Sequence, residues 1–391
     1  MDKIIKIIRA FLPKNVLSWK NKVRTWCGYN LVENVNAANH NKRCLILYVT
    51  EPFHTKVIPD FHQNQWQVKE MARIIGEHGF VVDVAQYDVP DLRLKHNYDL
   101  VVGLIPRGLD IYSTHLNPDA IRIAYLTSMN LAVTTANERE RLEGVKKRRG
   151  AILLPRRGSN IVIEKKIEEF DGAWYIGNEY NFHSYDCFKM PPSFRIINSG
   201  YAFNWANTMA DRDPKSFVFF ASSGQVHKGL DLLLEIFSRQ TKDCTLYVCS
   251  CYEEEEDFVK EYHKELYETP NIKAMGFLDI RSDTFKNVAM KSSYVIMPSC
   301  AEGCAGSVLT AMSAGLIPIV SKECGFEDDE VICLENCEID TIFNHIKEYS
   351  QKSKEWIKEN SKRAVEIVKQ RYSKECFTKS VEKALAGVLK V

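Results

Sequence analysis

Residues 298–321 read PSCAEGCAGSVLTAMSAGLIPIVS, with one carboxylate, Glu302, at the head of a run of small side chains. Residues 293–299 (SYVIMPS) have the pattern of a buried strand and 300–305 that of a loop. A helix begins near Gly306 and ends at Gly315. The first N–H groups of such a helix have no intrahelical partner, and its macrodipole favours negative charge. Gly303, Ala305, Gly306 and Ser307 leave the backbone open to an anion such as a diphosphate. A carboxylate beside that anion cannot serve it; Glu302 would instead accept hydrogen bonds from hydroxyls. The pair of features suggests a sugar joined to a phosphate. An acid that merely complements the helix dipole is the plainer alternative.

A second stretch, SSGQVHKGLDLLL (222–234), places a glycine-containing turn after a strand and Lys228 just inside the next helix. A lysine at a helix start opposes the dipole, so a nearby anion would account for it. A solvated surface lysine is the alternative.

The elements that must position these residues follow a strand–helix alternation. Strands are expected at 43–49, 80–88, 98–104, 121–127, 172–177 and 193–199, with helices at 65–79 and 137–150, each closed by a glycine. The rhythm loosens over 200–214 and restarts with strands at 216–223, 244–250, 271–277, 293–299, 316–321 and 330–335. Helices are expected at 228–240, 253–268 and through most of 338–389. This is the mark of parallel sheets covered on both faces. The expected fold class is α/β, two tandem Rossmann-like doubly wound domains facing across a cleft. Their site lies beyond the carboxyl ends of the strands. The expected organisation is a basic N-terminal segment (1–40), a first Rossmann-like domain (41–200), a second Rossmann-like domain (215–372) and a terminal helix (373–391).

Composition narrows the partners. The chain has 391 residues, 45% hydrophobic and 26% charged, with a net charge of +1, so no basic stripe supports nucleic-acid binding. Its 12 cysteines form no CxxC pair, which reads as buried free thiols in a reducing cytoplasm. A dinucleotide oxidoreductase needs a glycine-rich turn after its first strand, but after LILYVT no glycine occurs before Gly76. The N-terminus is biased: residues 1–24 carry seven Lys and Arg against Asp2 alone. Ile4, Ile5, Ile7, Ile8, Phe11 and Leu12 share an arc of roughly 160°, with Lys3, Lys6 and Arg9 opposite. Such a helix can lie on an anionic membrane surface, here the inner face, or simply pack on the domain.

On these motifs the chain resembles the retaining, family-4-type bacterial glycosyltransferases of the GT-B fold. Their pattern P-S-x-x-E-G, small residues, L-E-A-M-A-x-G-x-P-V-V is similar to PSCAEGCAGSVLTAMSAGLIPIV, and HKGLDLLLEIF (227–237) resembles their diphosphate-lysine helix. The resemblance is strong over about 215–335 and looser before it. LTSMNLAVTTANERERLEGVKKRRG resembles a polysaccharide-cluster subgroup. It implies a nucleotide-diphosphate sugar as donor, a glycan or lipid-linked acceptor, and neither cofactor nor metal. By position, Glu302 would bind sugar hydroxyls and Lys228 would neutralise the diphosphate. Amides around Gly303, Cys304 and Ala305 would reach the sugar, and those of Gly306 and Ser307 the diphosphate. The backbone at Phe277 and Leu278, in NIKAMGFLD, would meet the base. His62, in DFHQNQW before the first long helix, is the first-domain candidate, with His54 weaker. DRD (211–213) resembles the metal-binding D-x-D of a different glycosyltransferase fold but falls in the expected linker.

Two positions depart from the family pattern. The second glutamate, expected to bind the ribose, is Thr310, and an arginine expected before the lysine is replaced by Ser222 and Ser223. They leave open a second function class, a weak or inactive GT-B-like subunit that binds a sugar nucleotide or supports a partner enzyme.

Overall fold

The computed structural model describes residues 29–55, 62–89, 92–104, 114–158, 164–206 and 211–390, with side chains from 167 in the fifth segment. The basic amphipathic pattern of the first 13 residues lies outside the described residues. Two compact units divide between Tyr125 and Leu126.

The first unit holds β1 (Leu31–Val32), β2 (Lys42–Tyr48), β3 (Phe80–Gln86), β4 (Tyr98–Leu104) and β5 (Leu116–Leu126) in the order β1-β3-β2-β4-β5. All pairings are parallel except β1 with β3. Helix α1 (Gln63–Glu77) connects β2 to β3, and Gly79 follows it at φ +87°, the left-handed stop that its sequence position implies. Asp83 is fully buried in β3, where Arg43 (2.7 Å) and the Tyr98 hydroxyl (2.9 Å) satisfy it.

The second unit opens with α2 (Leu131–Arg149). This helix begins six residues before its expected start because the Asn130 side chain caps it, accepting from Ala132 N at 2.7 Å. Next come β6 (Gly172–Ile176), the short α3 (Glu179–Phe182) and β7 (Ser193–Ile196), which pairs parallel to β6. The second sheet contains β8 (Asp213–Phe220), β9 (Thr245–Cys249), β10 (Ile272–Ala274), β11 (Ser292–Met297), β12 (Ile317–Ser321) and β13 (Ile332–Leu334). Its order is β10-β9-β8-β11-β12-β13, parallel throughout. Counted from β8 this is 3-2-1-4-5-6, the Rossmann order, with its switch point between β8 and β11. The helices are α4 (Leu230–Arg239), α5 (Glu256–Glu261), α6 (His263–Glu268), α7 (Asp283–Lys291), α8 (Gly306–Ser313), α9 (Ile339–Tyr349), α10 (Lys354–Arg371) and α11 (Lys374–Leu389). The single helix expected over 253–268 is broken at Tyr262, a fully buried ring stacked on Phe258 at 4.7 Å with the Arg149 guanidinium over it.

The division between units falls well before 200–214. Polar contacts tie 126–200 to later elements. Arg148 reaches Asp231 (2.6 Å) and Glu235 (3.1 Å), while Arg149 reaches Glu261 (2.6 Å) and Glu265 (2.7 Å). Asp231 and Glu235 lie on α4, whose residues Leu230–Phe237 are all buried, so the arginines of α2 supply the charge these acids need. Helix α11 packs on β7, with Ile197 N donating to Ser380 Oγ at 3.1 Å.

The DRD segment is structural. Asp211 pairs with Lys354 at the surface, and Asp213 opens β8. Arg212 is buried and donates to the carbonyls of Ala289, Ser292 (2.7 Å) and Ala314 (2.8 Å), closing the ends of α7 and α8. Burial lowers its pKa to about 10. Arg212→Met should therefore cost about 2 kcal/mol in urea-induced unfolding, since three carbonyls lose their donor. Among the described residues no group of His, Cys, Asp and Glu could hold a metal ion. None of the described helices is long and apolar enough to cross a membrane.

Candidate functional site

The loops after β8 and β11 meet at the switch point of the second sheet. Strand β8 ends at Phe220, three residues before its expected end, which frees 221–229 as a turn. Within that turn Lys228 N donates to Gly224 O (2.9 Å) and Gly229 N to Val226 O (3.1 Å). Lys228 therefore precedes α4 rather than lying inside it. Gly229 caps the helix at φ +79°, in a place where any Cβ would strike Pro298. Lys228 is also not a solvated lysine, being 5% exposed.

Its ammonium pairs with Glu302 Oε1. The Ser299 hydroxyl lies 3.0 Å from the same oxygen. Glu302 is one-fifth exposed; burial alone would raise its pKa, but Lys228, His227 and Arg157 together outweigh burial and hold it at about 2. His227 is buried, and burial lowers its pKa. Nε2 lies 2.6 Å from Ala301 O, which fixes the proton there and leaves Nδ1 to accept from the Cys300 thiol at 3.5 Å. His227 and Ser299 thus position the Glu302 loop. Neither carries a periodic signature in the sequence, where each is a single polar residue in a loop between a strand and a helix.

The small-residue loop is pinned from several sides. Glu302 N donates to Glu323 O (3.0 Å), while Glu302 O accepts from Met129 N (3.0 Å) and Asn181 Nδ2 (2.7 Å). A Cβ on Gly303 would lie 2.8 Å from Ile176 O and closer still to Thr127 O. One on Gly325 would overlap the Gly303 carbonyl. Close packing of backbone on backbone therefore demands Gly303, and its smallness is no sign of a ligand. Ala305 also departs from expectation: its N–H donates to Cys324 O at 3.0 Å. Cys304 is buried, its carbonyl taken by Asn198 Nδ2 (2.8 Å), and burial keeps its thiol protonated.

Helix α8 starts at Gly306, as expected, with Ser307 partly exposed on its first turn. Thr310 is 3% exposed and its hydroxyl donates to Gly306 O at 2.8 Å, a bond within its own helix. Phe277 follows β10 and is 64% exposed, whereas Leu278 is buried; Gly276 at φ +67° makes the turn that turns the ring outward. In the other unit, His62 caps α1, its Nδ1 accepting from Asn64 N at 3.2 Å. His54 lies against the Tyr29 ring at 4.3 Å.

Residues 214–350 match the model of the family described as glycosyl transferases group 1. No curated protein matches the chain in sequence. Among solved structures, sucrose-phosphate synthase from Thermosynechococcus elongatus superposes with a TM-score of 0.61 at 13% identity, covering 90% of this chain and 100% of that one. Anabaena HepE, solved with UDP-glucose, gives 0.55 at 14% over 88% and 99%. WaaG, a glycosyltransferase involved in lipopolysaccharide biosynthesis, gives 0.53 at 12% over 87% and 99%. TarM gives 0.52 at 15%, and this chain spans only 55% of its length. The chain has the GT-B fold of two Rossmann-like domains, and within it 214–350 is similar to glycosyl transferases group 1.

Proposed function

We propose that the protein is a glycosyltransferase that moves a sugar from a nucleotide-diphosphate donor to a glycan or lipid-linked acceptor, retaining the anomeric configuration. The observation that carries this reading is the Lys228–Glu302 pair at the switch point of a Rossmann-ordered sheet. A cation and a carboxylate side by side match the two ends of a sugar diphosphate. The diphosphate competes with Glu302 for the lysine, and the released carboxylate accepts sugar hydroxyls. Lys228 and the start of α8 at Gly306 and Ser307 stabilise the leaving diphosphate as charge develops on it, with no metal required. Cys304 lies beside the sugar, and the Phe277–Leu278 turn beside the base.

In this reading 215–372 binds the donor, and 41–200, a stretch that spans the division at Tyr125 and Leu126, takes the acceptor, with His62 as its candidate contact. The terminal helix returns from 373 to the 41–200 domain; its packing on β7 supports that path. Synthesis of a bacterial surface polysaccharide on the cytoplasmic membrane face fits the basic apolar pattern of residues 1–13. WaaG, a protein of lipopolysaccharide biosynthesis, has the same fold.

A calorimetric screen of UDP, GDP, ADP and dTDP tests the site. One should bind, and Lys228→Ala should weaken it about 10- to 100-fold, the loss of one charge-assisted contact to phosphate. Equal affinity of variant and wild type would remove Lys228 from the site.

A further inference from the structure

We propose that Arg157, from the loop after α2, is a second cation on the donor diphosphate, supplying from elsewhere in the chain the charge absent at Ser222 and Ser223. This rests on the donor-site reading above. A diphosphate carries more negative charge than one lysine balances, and Lys228 is already engaged by Glu302. The turn between β8 and Lys228 has no cation of its own: it reads ASSGQVH.

The structure brings one there. Arg157 Nη2 donates to Ser222 Oγ at 2.9 Å. Its side chain crosses Gly224, where a Cβ would lie 3.0 Å from Arg157 Cγ and 3.1 Å from Nε. Gly224 is the residue whose carbonyl receives Lys228 N, so both cations border the same turn. Arg157 also helps to lower the pKa of Glu302 and His227, which places its charge within the field of the pair.

The loop is built to hold this position. The buried carboxylate of Glu138 accepts from the amides of Arg156 (2.8 Å), Arg157 (3.0 Å) and Gly158. Arg156 binds Asp257 and lies 3.7 Å from Glu255, whose buried carboxylate accepts from the amides of Gly224 and Gln225. Acids thus fix the backbone on both sides of the turn, and the Arg157 side chain needs no anchor beyond Ser222. A guanidinium held by one hydroxyl keeps donors for phosphate oxygens.

Calorimetric titration of Arg157→Ala and Arg157→Lys with the diphosphate that wild type binds, and with the matching nucleoside, tests the assignment. Arg157→Ala should weaken the diphosphate about tenfold or more, leave nucleoside affinity unchanged, and flatten the salt dependence. Arg157→Lys should recover part of the loss. Unfolding temperatures within a few degrees of wild type would confirm that the loop is intact, since Glu138 holds its backbone. Wild-type diphosphate affinity in Arg157→Ala, with Lys228→Ala weakened, overturns the role of Arg157 alone. If Lys228→Ala is also unchanged, or wild type binds none of the four diphosphates, the donor-site reading fails and takes this one with it.

Discussion

Glu302→Gln should reduce kcat/KM for sugar transfer by about 10²- to 10³-fold while the protein remains folded. The amide keeps the size of the carboxyl but loses the charge that Lys228 and the Ser299 hydroxyl face. It presents one acceptor oxygen where the carboxylate presents two, so sugar hydroxyls lose a charge-assisted partner. The pH behaviour carries a sign. Glu302 is held at about 2 against an ordinary 4.5, so its pairing contributes stability that is fully present above 4.5 and is lost as pH falls through about 2. Glu302 therefore remains ionised throughout the neutral range. An acid limb of the rate profile near pH 6 must come from another group, and it should persist in Glu302→Gln on whatever activity is left. Transfer at the wild-type rate would remove Glu302 from the chemistry.

Gly303→Ala should have the largest effect on the fold, about 3 kcal/mol in chemical unfolding. Its Cβ would meet the carbonyls of Thr127 and Ile176, both backbone atoms and neither able to rotate away. Relief requires the loop to shift, and the loop is bound through Glu302 N and O to Glu323, Met129 and Asn181. Diphosphate affinity should fall with it, because the same loop carries the Glu302 side chain to Lys228. Stability within about 0.5 kcal/mol of wild type would mean that the backbones do not approach as described.

Periodicity made the second sheet readable because its strands are short apolar runs set between helical patterns. Glu302 and Lys228 were legible for a different reason: Glu302 is a lone carboxylate heading a run of small side chains, and Lys228 is a cation at a helix start, where the dipole disfavours it. What the sequence hid depends on contacts far apart in the chain. Gly303 looked like room for a ligand, and only the carbonyls of Thr127 and Ile176 show that the protein itself fills the space. The amide of Ala305 looked available until the turn at Cys324 came beside it. Arg157 lies 65 residues from Ser222, and no local pattern announces that they meet. The same holds for α2, a charged helix whose arginines neutralise acids of α4 and α6 and so gather 126–200 with the later sheet.

In the proposed reaction the Lys228–Glu302 pair opens to take a sugar diphosphate. A crystal structure with the nucleotide sugar whose diphosphate binds in the screen tests it most directly. Phosphate oxygens should lie within hydrogen-bond reach of Lys228 Nζ and the amides of Gly306 and Ser307, with a sugar hydroxyl on the Glu302 carboxylate. A nucleotide sugar bound elsewhere, with Lys228 and Glu302 still paired to each other, would contradict it.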